Sequence, residues 1–214
     1  DEVYGDIPEN KKADENYNYN PSSPYSASKA CADQLIKSYK RTYGLNSIIA
    51  NSCNNYGPYQ FPEKFIPKII YNLLRNKPLE IYGKGKNIRE WIYVKDNCEA
   101  LLRIFDKGKM GESYNIGTGI RLKNIELVNK IISIAKEEKI LTKKKIKVLF
   151  VKDRPGHDSR YALSSNKIKK QIGWRHKTII KKGLSETIKW YLNNKQFISR
   201  IPKKEFTKRL GLKV

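Results

Sequence analysis

Apolar residues recur along this chain at alternating helical and strand spacings, and the order of those segments predicts an α/β protein. Ala30, Leu35, Ile36 and Tyr39 follow Pro24 at helical spacing, so a helix is expected from Pro24 to a stop at Gly44, with those four packed inward. Ser47 to Ala50 reads as a short buried strand running into a polar loop, Asn51 to Pro58. Pro62 and Pro67 punctuate a basic and apolar segment that becomes helical after Pro67. Leu79 to Tyr82 and Arg89 to Val94 read as strands, and Asp96 is placed to cap a helix from Asn97 to Phe105. A strand at Ser113 to Ile116 precedes an amphipathic helix marked by Ile125, Val128, Ile131, Ile132 and Ala135, with Asn124 near its start. Ile146 to Val151 is a strand, and two helices follow, from about Ser165 to Ile172 and from Leu184 to Leu192. The basic tail from Lys195 is expected to be weakly ordered.

With 39% hydrophobic residues, 14 Tyr and 3 Trp in 214 residues, the chain can bury a core despite 30% charged residues. The net charge of +23 invites a nucleic-acid partner. Yet the lysines spread from Lys11 to Lys213, densest at Lys143 to Lys145 and in the tail, and no zinc-finger or RNP-type pattern accompanies them. Most of the charge therefore reads as a solvated surface with attraction for an anionic nucleotide, and no specific nucleic-acid partner is expected. Cys31, Cys53 and Cys98 are far apart and odd in number, which suggests a reducing cytoplasm rather than disulfides or a metal centre. No apolar run reaches the roughly 18 residues of a membrane span.

Chemistry concentrates in a few places. Tyr25 and Lys29 lie one helical turn apart, close enough for the ammonium to favour a tyrosinate, although such pairs also occur incidentally on surface helices. Asp1-Glu2-Val3-Tyr4-Gly5 reads as a strand end delivering adjacent carboxylates, whose pKa values a shared site would push apart. Neither Gly83-Lys84-Gly85 nor Gly117-Thr118-Gly119 matches a phosphate-binding or dinucleotide fingerprint. The loop Asp153 to Asp158 carries Arg154, with Arg160 close by; it suits either phosphate or an ordinary surface ion pair.

Taken together, DEVYG, SPYSASK, NSCNNYGPYQFPEKFIP, IYGKG, IREWIYVKD, YNIG and DRPGHDSRYA resemble, in order and spacing, the dTDP-glucose 4,6-dehydratases of the extended short-chain dehydrogenase/reductase superfamily. The resemblance runs from Asp1 to about Leu192 and leaves out the basic tail. It implies the C-terminal part of an NAD-binding Rossmann-type fold plus a smaller α/β substrate-binding domain. The corresponding boundaries are residues 1–60 for the end of the Rossmann domain, 61–195 for the nucleotide-sugar domain, with 89–111 returning to the first, and 196–214 for the tail.

The resemblance also implies roles. Tyr25, aided by Lys29, would take the proton of the sugar C4 hydroxyl, Glu2 the C5 proton, while Asp1 protonates the departing C6 hydroxyl and NAD is regenerated within the cycle. Asn55, Tyr25 and Lys29 look like cofactor contacts. Asn54, Lys64, Phe65, Tyr82, Arg89, Asn124, Arg154 and His157 look like nucleotide-sugar contacts, Arg89 and Arg154 on the diphosphate side. A homodimer through a bundle containing the Tyr25 helix, and a place in deoxysugar, rhamnose or polysaccharide synthesis, are further expectations from the same resemblance. The sequence departs from the family in lacking the GxxGxxG turn and the threonine before Asp1. It reads as a fragment short of roughly four βα units, about 100 residues, which alone would not hold NAD tightly. The alternatives left open are a UDP-sugar 4,6-dehydratase or 4-epimerase of the same fold, and a non-catalytic basic binding module.

Overall fold

Ser23 and Pro24 start the longest helix for local reasons. The Ser23 hydroxyl accepts from Ser26 N at 3.1 Å, and Ser26 Oγ accepts from Ser23 N at 3.0 Å, a reciprocal cap contributing about 1 kcal/mol. Pro24 takes the first helical position, where no N–H is missed, and the helix α1 spans Pro24–Tyr43 before Gly44 closes it. The computed structural model describes residues 1–141 and 146–202; the Lys143 to Lys145 run and the tail beyond 202 lie outside the described residues.

The chain divides into two units. The first comprises Asp1–Asn55, Ile88–Leu122 and Gly156–Lys177. Residues 156–177, assigned from sequence to the second domain, thus fall in the first unit. Strand β1 (Ile49–Ser52) begins within the stretch read from sequence as a strand and, with β2 (Asn54–Tyr56) after it, extends into the residues read as a polar loop. Asn51 is buried on β1, and Asn54 and Asn55 stand half-buried between the buried Cys53 and Tyr56, a burial that a count of polar residues hides.

Elsewhere in the chain lie α2 (Phe65–Leu74), β3 (Leu79–Tyr82), β4 (Ile88–Tyr93), α3 (Val94–Lys107), β5 (Ser113–Ile116) and β6 (Arg121–Lys123). They are followed by α4 (Asn124–Glu137), β7 (Val148–Val151), α5 (Asn166–Gln171), α6 (Ile180–Asn193) and α7 (Lys195–Ser199). In the first unit β1 pairs parallel to β5, from Ile49↔Ser113 to Ser52↔Ile116. The remaining strands there follow the order β2-β4-β6. Tyr4, Ile92, Tyr114, Ile116, Ile168 and Trp174 lie in one apolar cluster of this unit. Each such fully buried side chain contributes about 1.5–3 kcal/mol.

The second unit comprises Tyr56–Asn87, Lys123–Pro155 and Thr178–Val214. There β3 pairs parallel to β7, from Leu79↔Val148 to Tyr82↔Val151, and Ile69, Ile70, Leu79, Ile81, Leu127, Val128, Ile131, Leu184 and Ile188 are buried.

Several sequence expectations change. Pro67 does not delay α2, because at its third position no helical N–H bond is due. Asp96 is not a cap: α3 begins at Val94, and the buried Asp96 carboxylate accepts from Lys177 N at 3.3 Å. Leu35 and Tyr39, expected inside, are 59% and 52% exposed, and Ala30 alone of that set is buried. The chain after Asn194 is not irregular throughout, since α7 forms there and buries Ile198.

Candidate active site

Asp1 and Glu2 do not end a strand. A 3-10 turn runs from Glu2 to Tyr4, closed by Tyr4 N to Asp1 O and Gly5 N to Glu2 O, each 3.2 Å. With three residues per turn, successive side chains diverge by about 120° rather than the 180° of a strand, so neighbouring carboxylates can serve adjoining faces of one site. Gly5 makes the exit possible: its φ is 66°, and a Cβ there would meet the carbonyl oxygen of Asn20. The main-chain nitrogen of Asp1 donates to Ser52 O at 2.9 Å, which sets the turn beside the carboxyl end of β1. That is the end of a parallel strand where α/β sheets gather their ligands.

Buried hydroxyls brace this turn. Tyr4, 1% exposed, donates to Asn115 Oδ1 at 2.8 Å, and its ring meets that of Tyr19 edge-on. Tyr19 donates to Asp33 Oδ2 at 2.7 Å and accepts from Asn51 Nδ2 at 3.3 Å. Desolvation raises the Tyr4 phenol above its usual range and, helped by the bond to Asp33, that of Tyr19 also. These phenols are structural donors. By contrast Tyr25 is 56% exposed, with Lys29 Nζ 5.6 Å from its ring centre.

Asn54 and Asn55 lie on β2; Asn55 Nδ2 donates to Cys53 O at 3.1 Å. Burial pushes the Cys53 thiol far above its usual range, leaving it neutral beside them. Two buried acceptors in this unit, Asp1 Oδ2 and Asn54 Oδ1, meet no hydrogen-bond donor among the described residues, an uncommon state for buried oxygen and one a polar ligand would relieve.

Arg89 is buried on β4, and its guanidinium donates to Ile88 O at 2.8 Å and to Asp158 O at 2.7 Å. It therefore belongs with the loop of His157, which is half-buried. Arg160, considered from sequence as a phosphate ligand, instead donates from Nη1 to the carbonyls of Ile7, Pro8 and Lys11. Sequence reasoning missed Ser22, Asp158 and Tyr161, whose contacts join residues far apart in the chain.

In the second unit Arg154 lies over the ring of Tyr82, 5.2 Å from its centre, so two predicted contacts come together. Lys64 precedes α2 and pairs with Glu63 at 3.3 Å, while Phe65 opens the helix. Asn124 is 7% exposed at the first position of α4, and its N–H donates to Asn87 O at 3.0 Å.

Parallel strands flanked by helices, with an exposed Tyr-Lys pair on the first of them, define a Rossmann-type α/β protein. The chain belongs to the GDP-mannose 4,6 dehydratase family, whose model matches residues 1–187. It is 46% identical over 213 residues to a dTDP-glucose 4,6-dehydratase of Shigella flexneri, covering 94% of this chain and 58% of that protein. The chain thus spans less than two thirds of that relative. Among solved structures, DesIV, a dTDP-glucose 4,6-dehydratase from Streptomyces venezuelae with NAD and TYD bound, superposes with a TM-score of 0.85 at 40% identity, covering 92% of this chain and 59% of that one. A dTDP-glucose 4,6-dehydratase from Bacillus anthracis in complex with NAD gives a TM-score of 0.84 at 42% identity, covering 91% and 60%.

Proposed function

We propose that this chain carries the acid, the bases and the sugar-nucleotide contacts of an enzyme that dehydrates dTDP-glucose to dTDP-4-keto-6-deoxyglucose. The observation that carries the reading is the Asp1-Glu2 turn at the carboxyl end of β1, with the unpartnered Asp1 Oδ2, in the unit that also presents Tyr25 and Lys29. An epimerase has no hydroxyl to expel and no need of the acid.

Tyr25 accepts the proton of the C4 hydroxyl, with the Lys29 ammonium 5.6 Å from its ring centre. Once C4 is a ketone, its carbonyl acidifies C5, and Glu2 removes that proton. Asp1 delivers a proton to the C6 hydroxyl, which leaves as water. NAD, when bound, would supply the two-electron acceptor that C4 oxidation needs and the hydride that completes C6, while the proton held by Glu2 returns to C5. The exposed phenol and ammonium suit a nicotinamide ribose, and Asn55 adds an amide; no GxxGxxG turn for the pyrophosphate occurs in these residues. Asn54, Arg89 and His157 in one unit, and Lys64, Phe65, Tyr82, Asn124 and Arg154 in the other, are assigned to the nucleotide sugar, the arginines to its diphosphate.

The protein's setting belongs to the same proposal. Exposed Leu35, Tyr39 and Tyr43 on α1 support a homodimer across that helix. Free Cys31, Cys53 and Cys98 support a reducing, cytoplasmic compartment, and no helix among the described residues is long and apolar enough to cross a membrane. A 4-keto-6-deoxy product suits deoxysugar and polysaccharide synthesis, rhamnose included. Incubating the intact protein with dTDP-glucose and NAD and weighing the nucleotide sugar by mass spectrometry tests the reading. Loss of one water is expected; an unchanged mass with an inverted C4 would replace the dehydratase by an epimerase.

A further inference from the structure

Asp158 is bonded to three separate parts of the first unit. Its Oδ1 accepts from Ser22 Oγ at 2.5 Å, its Oδ2 accepts from the Tyr161 hydroxyl at 2.6 Å, and its main-chain carbonyl accepts from Arg89 Nη2 at 2.7 Å. Asp158 is 6% exposed, and its bond from the Tyr161 hydroxyl is buried where water scarcely competes, while the bond from the exposed Ser22 is partly so.

On one side the bonds fix Arg89. The Tyr161 ring lies under the guanidinium, 4.1 Å from ring centre to the guanidinium carbon, and the carbonyls of Ile88 and Asp158 hold its edges. Together they set the plane of the guanidinium. Burial, and the bond to Asp158, raise the Tyr161 phenol well above its usual range, so it stays a donor.

On the other side they fix the entry to α1. Ser22 directly precedes the Ser23 cap, and Tyr25 sits in the first turn. Gly156, with φ +63°, brings its loop so close that a Cβ there would lie 2.7 Å from Ser22 O. The loop that carries His157 therefore rests on the backbone that aims Tyr25.

We propose that Asp158 is a positioning residue that couples the anion-binding guanidinium of Arg89 to the orientation of Tyr25. This rests on the reading of Arg89 as a diphosphate contact and Tyr25 as the proton acceptor. Asp158 itself touches no reacting atom. A diphosphate that draws on Arg89 shifts the load on the Asp158 carbonyl, and the same residue's carboxylate passes the adjustment to Ser22 and the start of α1.

The test uses the intact protein with ring-labelled tyrosine, the Tyr25 resonance being assigned by its loss in Tyr25→Phe, and thymidine diphosphate or uridine diphosphate as probes. In the wild type either diphosphate moves the Tyr25 resonance. Asp158→Asn is expected to bind roughly tenfold more weakly and to lose that movement while the other resonances keep their positions. Ser22→Ala loses the movement at little cost in affinity and acts on kcat, whereas Tyr161→Phe weakens affinity and acts mainly on KM. These two remove one hydroxyl each, so they carry the test should Asp158→Asn not fold. An Asp158→Asn protein that keeps both affinity and the Tyr25 movement, or that only melts earlier with kcat and KM intact, overturns the proposal. So does a wild type whose Tyr25 is indifferent to both diphosphates. A wild type that shows the movement yet does not dehydrate dTDP-glucose fails the reaction reading and leaves the coupling standing.

Discussion

Glu90 is fully buried on β4, and its Oε2 lies 2.9 Å from Arg121 Nε. The same carboxylate accepts from Gly119 N at 2.8 Å and Leu163 N at 3.2 Å, so one charge organises the loop after β5, the strand β6 and the chain beyond Tyr161. It is the neighbour of Arg89 in sequence, and alternation along the strand sends the two side chains to opposite faces. Removing one member of a buried pair strands the other, at a cost near 3 kcal/mol because Arg121 retains some solvent. Glu90→Gln is expected to lower the urea midpoint accordingly, and Glu90→Gln with Arg121→Met to recover part of the loss. A single variant as stable as the wild type would refute the assignment.

Tyr25→Phe deletes only the hydroxyl of an exposed ring, so the fold has little to lose. As proton acceptor, Tyr25 accounts for a factor of about 10² to 10⁴ in rate. Turnover of dTDP-glucose by the intact protein is expected to fall at least that far while calorimetric affinity for thymidine diphosphate stays within a few-fold. Ordinary turnover would remove Tyr25 from the mechanism.

Arg154 over Tyr82 offers a planar donor to an anion. Arg154→Ala is expected to weaken thymidine diphosphate binding by about 1.5–3 kcal/mol, the usual worth of a charged hydrogen bond. Arg154→Lys keeps the charge but loses the paired donors and should recover less than half of it. Titration calorimetry on the three proteins decides whether geometry or charge matters at this position.

Alkali should unfold the protein through its buried phenols. Tyr4, Tyr19, Tyr161 and Tyr191 are all raised from 10.0 by desolvation first. Below about pH 10 both folded and unfolded chains keep these protons, and the stabilisation is complete. Above it the unfolded chain releases protons that the folded one retains, so stability falls with rising pH toward the folded values. Urea midpoints measured from about pH 8 to 11 should decline, with a gentler slope in Tyr161→Phe.

What the sequence disclosed, it disclosed through local signals. Ser23, Pro24 and Gly44 bound α1, and the short apolar runs at Leu79 to Tyr82 and Ser113 to Ile116 are strands at those same residues. The misreadings arose where a distant partner decides. Leu35 and Tyr39 have helical spacing, yet spacing cannot say whether anything covers the face they share. Asp96 looked like a cap because Lys177, which donates to it, lies 81 residues away. Asp158 drew no attention beside Arg154 and His157, since Ser22 is 136 residues distant. Glu90 showed only as a polar member of an alternating strand, with no sign of the backbone amides waiting for it.

The segment from Asp6 to Asn20 has neither helix nor named strand, yet it is tied at close intervals. Ile7 N donates to Arg160 O, Ala13 N to Ala162 O and Asn20 N to Val3 O, while Arg160 holds three of its carbonyls. A protease must draw several residues of extended chain into its cleft, and here none come away without also releasing the stretch around Arg160 and Ala162. Its susceptibility to cutting should therefore follow global unfolding, and the amides of Ile7, Ala13 and Asn20 should exchange with deuterium as slowly as those of the strands. A loop so fastened serves as a frame for the Asp1-Glu2 turn on one side and the His157 loop on the other.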